Sequence, residues 1–349
     1  DLRDFPDSPF ADKIIHDVNL IVNDPEISVV AEMMGGSHPA YEFTRACLES
    51  GKSVVTANKE LVSNFGAELC DIAADHGVRY LFEASVGGGI PIIRPLINDL
   101  SSNKITRICG ILNGTTNYIL TSMRDKGADF GDALANAQRL GYAEADPTAD
   151  VEGIDAARKT SILAAIASGK LIDPKTIHTE GISKITLTDT KICANLGLTI
   201  KLIGYTQIKD GKIIALVSPR AITASNPLCH IDDVLNGVLV NANMVGEVMF
   251  YGPGAGRLPT ASAVVADIID IIENRDNSPA PIKWCVADAG DIADMSEYSC
   301  RRVLILDENI SRDQLPDGVK ADFAYNKAYW DQFRDTVVQK ASTTAYDQL

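Results

Sequence analysis

Short apolar segments alternate with helical patterns over the first 82 residues of this chain, and this alternation constrains the fold more than any other feature. The segments follow one another as a strand at 27–34, a helix at 40–49, a strand at 53–56, a helix at 59–76 and a strand at 78–82. Apolar strands separated by helices are typical of a parallel sheet covered on both faces. We therefore predict a doubly wound, Rossmann-like α/β sheet, with ligands beyond the carboxyl ends of its strands, near Gly35 and residues 56–59.

The rest of the sequence predicts a second domain of α+β architecture. Helices are expected at 91–100, 116–124 and 150–168, and strands at 105–112, 198–205, 212–217, 237–241 and 246–251. The Asp210-Gly211 pair between two of these strands is typical of a hairpin turn. We expect this domain to bind substrate and to carry an open sheet that could pair across a dimer.

These patterns divide the chain into four parts. The division places a partial nucleotide-binding domain at 1–84, a substrate-binding and dimerisation domain at 85–256, a helix returning to the first domain at 257–274, and an unassigned tail or degenerate regulatory module at 275–349. Within the tail, we predict a strand at 301–306 and a polar helix at 328–340.

The charge balance excludes two classes of partner. The 349 residues include 32 Lys and Arg against 47 Asp and Glu, a formal net charge of −15. Such a surface repels nucleic acid and anionic membranes, so we expect neither as a partner. No apolar run is long enough to span a bilayer. The seven cysteines form no C-x-x-C pair, which favours reduced core thiols in a soluble, cytoplasmic protein.

A lysine and a carboxylate lie one helical turn apart in an unusually apolar segment. Asp155 and Lys159 share a helix side with Ile162 and Ile166, and the residues that follow at 161–167 are almost entirely apolar. An ordinary surface ion pair at this spacing contributes only about 0.2–0.5 kcal/mol. Charges on an apolar stripe are costly unless they are paired or functional. We therefore favour a buried lysine placed for proton transfer over a plain structural pair.

Five segments of the chain resemble the homoserine dehydrogenase family. They read NGTTNY at 113–118, LGYAEADP at 140–147 followed by DVEGIDAARK at 150–159, TANKE at 56–60, FEASVGGGIP at 82–91 and YGPGAGRLPT at 251–260. The resemblance extends over about residues 24–272 and keeps the family's motif order. It implies an oxidoreductase that uses NAD or NADP to interconvert L-aspartate 4-semialdehyde and L-homoserine, a small-molecule step in threonine and methionine biosynthesis. It also implies a homodimer.

The resemblance further implies a set of catalytic and substrate-binding residues. Lys159 would supply the proton as the reduced aldehyde becomes an alkoxide, and Asp155 would orient it. Glu144 would bind the α-ammonium group of the substrate with help from Asp150, and Lys59 would lie near both substrate and cofactor. The structural alternatives, which are less favoured, are that Glu144 is only an acid before a helix N-terminus and that Lys59 is a solvated lysine.

Three glycines are assigned to the cofactor by the same resemblance. Gly35 would lie beside the nicotinamide–ribose half, and Gly254 and Gly256 would let the backbone approach the cofactor from the other side. Plain turns would explain all three glycines equally well.

The segment at 83–90 resembles the monovalent-cation loop of the family, which implies a structural sodium ion. Its implied ligands are Glu83 and the carbonyl oxygens of Val86, Gly88 and Ile90. A carboxylate with backbone carbonyls is the oxygen-only coordination that a hard cation requires. The spacing alone would indicate only a flexible turn.

One expected motif is not found. No G-x-G-x-x-G turn precedes the first predicted strand, so the doubly wound sheet is expected to lack its first strand–helix unit. We accordingly expect the 349-residue chain to bind NAD(P) only weakly. Two further hypotheses stay open: a non-catalytic amino-acid-binding or oligomerisation module on the same fold, and an oxidoreductase acting on another semialdehyde. The preference between NAD and NADP cannot be read from these residues.

Overall fold

A small parallel sheet forms the first domain. The computed structural model of the protein describes residues 7–275 and 281–294, together with the backbone of three short strands between 302 and 341. The strands of the first sheet are β1 (Val29–Glu32), β2 (Ser53–Thr56) and β3 (Tyr80–Leu81). They are parallel and lie in the order β1-β2-β3. The predicted Rossmann-like sheet is confirmed.

Helices cover both faces of this sheet. They are the short α1 (Asn19–Val22), α2 (Ala40–Glu49), α3 (Lys59–Asp75) and, from the far end of the chain, α9 (Arg257–Glu273). The alternation of side chains along β2 shows how the faces differ: Val54 packs into the core shared with α2 and α3, whereas Val55 packs against α9. Helix α9, although distant in the sequence, therefore packs against the parallel sheet.

The second domain is built on a six-stranded sheet with the order β10-β9-β4-β7-β8-β6. Its strands are β4 (Ile105–Ile111), β6 (His178–Thr179), β7 (Leu198–Lys209), β8 (Lys212–Thr223), β9 (Leu235–Ala242) and β10 (Gly246–Pro253). All neighbouring strands are antiparallel except β6 and β8, and the β7–β8 hairpin turns at Asp210-Gly211 as predicted.

Helices pack on one face of the six-stranded sheet. They are α4 (Gly114–Lys126), α5 (Phe130–Arg139), α6 (Thr148–Val151), α7 (Ile154–Ser168) and α8 (Leu187–Asn195). Of these, α5 and α8 were not predicted. Helix α5 is amphipathic, because Ala133 and Ala137 are buried and Phe130 and Leu134 pack on the same side, so its pattern was present in the sequence but was missed. A short strand β5 (Lys170–Leu171) follows α7 and pairs in parallel with β11 (Cys285–Val286).

The single helix predicted at 150–168 is wrong. The chain forms α6, breaks at Gly153, and starts again as α7. Gly153 adopts φ +79°, a left-handed conformation that ends a helix. Gly181 packs beside this break so closely that a Cβ there would lie 2.2 Å from the carbonyl oxygen of Val151. The break therefore depends on a tertiary contact. The helix predicted at 91–100 is partly realised, and it ends in a π-helical turn at Pro95–Asp99.

Beyond residue 300, the described part of the tail is a three-stranded sheet. Strand β14 (Val337–Ala341) pairs antiparallel with both β12 (Arg302–Leu306) and β13 (Ala321–Asp322). The strand predicted at 301–306 is confirmed over 302–306. The helix predicted at 328–340 is wrong over 337–340, where the β-branched pair Val337-Val338 favours an extended chain; residues 328–336 lie outside the described residues.

Two other findings concern the described residues as a group. None of their helices is both long and apolar enough to cross a bilayer. Six cysteines lie among the described residues, and all are free thiols. Five of them are buried, as predicted, and Cys285 is exposed. Cys300 lies outside the described residues.

Candidate active site

A buried ion pair lies where the first turn of α7 faces the sheet of the second domain. The Nζ atom of Lys159 donates to Oδ2 of Asp155 at 2.7 Å and to the carbonyl oxygen of Leu112 at 2.8 Å. The side chains of Lys159 and Asp155 are only 10% and 6% exposed. The predicted contact between the two residues is observed, and both groups are buried rather than solvated.

A second lysine reaches the same carboxylate from the first domain. Lys59 is the first residue of α3, and its Nζ lies 3.1 Å from Oδ1 of Asp155. Each carboxylate oxygen of Asp155 therefore faces an ammonium group. The Lys59 side chain is 41% exposed, so part of it remains accessible to a ligand. The structure thus brings Lys59 of the TANKE segment to Asp155 and Lys159, which share one motif in the sequence.

An asparagine that the sequence analysis left without a role connects two carboxylates. Asn113 caps α4, because its Oδ1 accepts a hydrogen bond from the Thr116 amide at 2.9 Å. Its Nδ2 donates to Asp150 Oδ1 at 2.7 Å and to Asp155 Oδ2 at 2.9 Å. In the sequence, the only indication of a role for Asn113 was its place at the start of the NGTT segment. An asparagine at a helix start is often only a cap, so its position did not predict the hydrogen bonds to Asp150 and Asp155.

The environments of Asp150 and Asp155 move their pKa values in opposite directions. Burial raises the pKa of Asp155, but the charges of Lys159 and Lys59 and the hydrogen bonds from Lys159 and Asn113 outweigh it and hold the pKa well below its usual range. Burial raises the pKa of Asp150 above its usual value despite the hydrogen bond from Asn113, and the nearby charge of Asp155 adds to the rise. Asp155 is therefore the fixed anion of the cluster.

Glu144 lies apart from this cluster. It is an exposed residue in the segment between α5 and α6, where Gln138 Nε2 donates to its backbone carbonyl at 3.0 Å. Its carboxylate makes no hydrogen bond or ion pair with any residue that the structure describes. The geometry leaves the Glu144 carboxylate available to a ligand and gives it no structural task.

Hydrogen bonds connect the carboxyl ends of β1 and β2 near Gly35, the glycine predicted to lie beside the cofactor. The buried Glu32 carboxylate accepts from the Thr56 hydroxyl at 2.5 Å and from the Met34 amide at 2.5 Å. Asn58 Nδ2 donates to the carbonyl oxygen of Gly36 at 2.7 Å. A Cβ added at Gly35 would have no atom within 4 Å, so the space beside this glycine is open. A ligand could approach the backbone there without displacing any described side chain.

Two glycine-rich segments from different parts of the chain touch each other. A Cβ on Gly88 would lie 2.5 Å from the carbonyl oxygen of Gly254, and one on Gly89 would lie 2.6 Å from Cβ of Pro259. A Cβ on Gly254 would in turn lie 2.0 Å from Nδ2 of Asn236. Gly256 precedes α9 with φ +120°. Close packing explains the glycines at 88, 89 and 254, and the positive φ explains Gly256, apart from any ligand.

The Glu83 carboxylate has a different partner from the predicted cation. It is 5% exposed and accepts backbone hydrogen bonds from Ile92 at 2.6 Å, Ile93 at 2.9 Å and Arg94 at 2.7 Å. It therefore caps the helical turns that begin there. The Glu83 amide donates to Asp267 at 2.9 Å, and Arg94 pairs with the same aspartate at 2.8 Å. Burial outweighs these contacts and raises the pKa of Asp267 to about 6.

Sequence comparison relates both domains to one family. A family model described as "Homoserine dehydrogenase" matches residues 91–269. A second, described as "Homoserine dehydrogenase, NAD binding domain", matches residues 6–83. The two matches meet at the segment that joins the parallel sheet to the second domain.

Individual relatives agree with this assignment. The homoserine dehydrogenase of Synechocystis sp. is 46% identical over 278 residues, which cover 77% of this chain and 64% of the relative. The chain thus spans a little under two thirds of the length of that relative. The crystal structure of a homoserine dehydrogenase from Thiobacillus denitrificans superposes with a TM-score of 0.83 at 39% identity and covers 95% of this chain and 79% of the other. A hyperthermophilic archaeal homoserine dehydrogenase in complex with NADPH superposes with a TM-score of 0.66 at 30% identity, covering 77% of each chain.

Proposed function

Because this chain belongs to the homoserine dehydrogenase family, we propose that it catalyses the NAD(P)-dependent interconversion of L-homoserine and L-aspartate 4-semialdehyde. The observation that carries the proposal is the buried Lys159 ammonium, which pairs with the Asp155 carboxylate that Lys59 also contacts from the first domain. A module that only bound an amino acid would need no buried lysine at this point. The reaction would supply homoserine to threonine and methionine biosynthesis.

The hydrogen bonds of Lys159 leave one of its N–H donors available for proton transfer. An ammonium group has three N–H donors, and Lys159 uses two of them on Asp155 and the Leu112 carbonyl. The third is left for the carbonyl oxygen of a semialdehyde. As that oxygen gains negative charge during reduction, Lys159 would transfer a proton to it, and in the reverse direction it would accept the proton from the homoserine hydroxyl. Asp155 would hold the lysine in place throughout, because it stays ionised.

The residues near Gly35 fit a nicotinamide cofactor. The backbone there is open to a ligand, and Asn58 ties the neighbouring Gly36 to the start of α3. Lys59, at the same helix start, offers a partly exposed positive charge to an anionic group. When bound, the nicotinamide supplies or accepts the hydride of the reaction. The match to the NAD-binding domain family and the NADPH complex of the archaeal relative support this choice of cofactor.

A direct assay tests the proposed function. Because the chain is expected to bind NAD(P) weakly, the assay uses the highest practicable cofactor concentration. Under these conditions the chain is expected to reduce NADP+ or NAD+ in the presence of L-homoserine and to oxidise NADPH or NADH in the presence of L-aspartate 4-semialdehyde. L-serine, one methylene shorter, serves as the matched control substrate and is expected to give little turnover. Binding of homoserine without any turnover would instead favour the amino-acid-binding module. Turnover of a different semialdehyde in preference to the aspartate compound would favour the other oxidoreductase.

Glu144 is proposed to bind the α-ammonium group of the substrate, with help from Asp150. Its carboxylate is exposed and has no described protein partner, while Asp150 is held toward the cluster by Asn113. We expect Glu144→Gln to raise the KM for homoserine more than it lowers kcat, because a charge-assisted contact worth about 1.5–3 kcal/mol is lost. Glu152→Gln, on another exposed acid of the same region, is the control. An unchanged KM in steady-state assays would remove Glu144 from the substrate site.

A structural sodium ion is proposed at the loop 83–90. The Glu83 carboxylate already accepts three amide hydrogen bonds, so the proposal depends on the carbonyl oxygens of Val86, Gly88 and Ile90. We expect sodium chloride to raise the thermal midpoint above its value in choline chloride at equal ionic strength, because ligands of the folded state stabilise it. Gly88→Ala, which must displace Gly254, is expected to lower the midpoint and to abolish the difference. Equal midpoints in the two salts for the unaltered chain would argue against the ion.

A homodimer is proposed from the edge of the six-stranded sheet. Strand β10 lies at this edge, and Met249 and Tyr251 on it are 43% and 53% exposed. Met244 and Val245 in the adjoining turn are exposed as well. Apolar side chains clustered along an open edge favour association with a second copy. Sedimentation equilibrium is expected to give twice the mass of one chain.

A cytoplasmic location is part of the same proposal. The six described cysteines are unpaired thiols, as expected where reduced glutathione keeps cysteines reduced. Cell fractionation of the natural host would test the location.

A further inference from the structure

Two ion pairs of opposite polarity join the first turn of α3 to α7. Lys59 on α3 pairs with Asp155 on α7, and the next residue of α3, Glu60, pairs with Arg158 on α7 through Oε2 and a guanidinium nitrogen at 2.7 Å. Arg158 and Glu60 are both largely buried, at 25% and 28% side-chain exposure. The first pair belongs to the lysine cluster already described. The second pair has no task in the proposed reaction, although Arg158 directly precedes Lys159.

The other oxygen of Glu60 faces the loop that follows β1. The Ser37 hydroxyl donates to Glu60 Oε1 at 3.2 Å and accepts from Asn64 Nδ2 at 2.9 Å. Ser37 comes directly after Gly35 and Gly36. A continuous set of contacts therefore runs from this loop through Glu60 to the helix that carries Lys159. We call Ser37, Glu60 and Arg158 the interdomain strap.

We propose that Glu60 is a positioning residue that holds the Gly35–Ser37 loop at a fixed distance from the helix of Lys159, a role that rests on the proposed function. Hydride transfer needs the nicotinamide beside Gly35, and proton transfer needs Lys159, and both must meet the same carbonyl group of the substrate. Errors of about 1 Å in such geometry can cost about 100-fold in rate. A carboxylate suits this task because its two oxygens bind a guanidinium on one side and a hydroxyl on the other.

The first test needs no turnover. In Glu60→Gln and Arg158→Met, we expect the backbone amides of residues 33–38 to exchange with deuterium faster than in the unaltered chain, because the loop loses its link to α7. Arg45→Met is the matched control, since it removes an arginine that forms an exposed pair with Glu49 at 2.8 Å on α2. Exchange in residues 33–38 that matches the control in both variants would overturn the proposal.

The second test measures the reaction. We expect Glu60→Gln and Arg158→Met to lower kcat about 10- to 100-fold, with the KM for homoserine changed no more than the control. The primary deuterium isotope effect on hydride transfer should increase, because misaligned hydride transfer becomes rate-limiting. The double variant should be no slower than the slower single variant, because both changes break one contact path. Arg158→Lys keeps the charge and should recover part of kcat.

The outcomes separate the strap from the proposed function. The positioning role would be overturned if the single variants kept the kcat and isotope effect of the control. It would also be overturned if the fold-losses in kcat of the two single variants multiplied in the double variant. A general loss of stability would lower the thermal midpoint without raising the isotope effect, and this result would also count against the strap. If the unaltered chain does not oxidise homoserine at all, the proposed function fails, and the exchange measurement still decides whether the strap holds the loop.

Discussion

Replacing Lys159 with alanine is expected to reduce kcat for homoserine oxidation by about two to four orders of magnitude, the usual contribution of a positioned acid or base. Its ammonium group lies in a buried position with one N–H left for the substrate oxygen, and no other lysine that the structure describes shares this contact with the Leu112 carbonyl. The KM for homoserine should change much less, because Lys159 acts on the developing charge. Steady-state kinetics at saturating cofactor measure both quantities.

The control for this experiment is a lysine elsewhere in the same domain. Lys175 is exposed in a short helical turn after β5, and Lys175→Ala should keep the parental kcat. Circular dichroism of the Lys159 variant should show that the fold is retained. A Lys159→Ala enzyme that turns over within a few-fold of the parent would remove this residue from the proton-transfer step.

Replacing Asp155 with alanine is expected to have the largest effect on stability. The change removes the carboxylate that faces both Lys159 and Lys59, and it leaves Lys159 as a buried cation with only the Leu112 carbonyl as a partner. Removal of one member of a buried ion pair typically costs about 3–5 kcal/mol in the free energy of unfolding. Urea denaturation at pH 7 measures this quantity. Glu49→Ala, in an exposed pair, is the control and should cost at most about 1 kcal/mol.

The pH dependence of this difference has a definite sign. The folded state holds the pKa of Asp155 below its usual value, so the carboxylate stabilises the fold at every pH above the unfolded pKa of about 3.9. This stabilisation is lost only as the pH falls below that value toward the folded pKa. The gap in unfolding free energy between the parent and Asp155→Ala should therefore persist from pH 7 to about pH 4 and then narrow. If the gap closed by pH 6, the pKa of Asp155 would not be lowered in the folded state.

The parallel sheet was predictable because its signals are local. Strand β2 and helix α2 match the expected segments to the residue, since each is an uninterrupted apolar or amphipathic segment bounded by polar residues or glycine. The break at Gly153 was not predictable in the same way. The spacing of charges continues through it, and the left-handed turn is stabilised by the close approach of Gly181 from a distant segment.

The contacts of the candidate site also differ in how far they could be predicted: those within one helix follow from local spacing, and those between distant segments do not. Asp155 and Lys159 are four residues apart on one helix, so their contact follows from helical spacing. The amide of Asn113 reaches Asp155 across 42 residues, and Arg158 reaches Glu60 between domains. No local pattern encodes such pairings. The Glu83 carboxylate shows the same limit, because its role as a cap depends on amides nine to eleven residues later in the chain.

The position of α9 has a consequence for synthesis on the ribosome. Its residues Ala263, Val264 and Ile271 form one face of the core of the N-terminal sheet, where they pack with Val55 and Ala84. Translation produces β2 some 200 residues before α9. The first domain to be made is therefore among the last to be finished, and its apolar face stays uncovered while the whole second domain is being synthesised. A nascent chain of this protein presents that face to chaperones for most of its elongation.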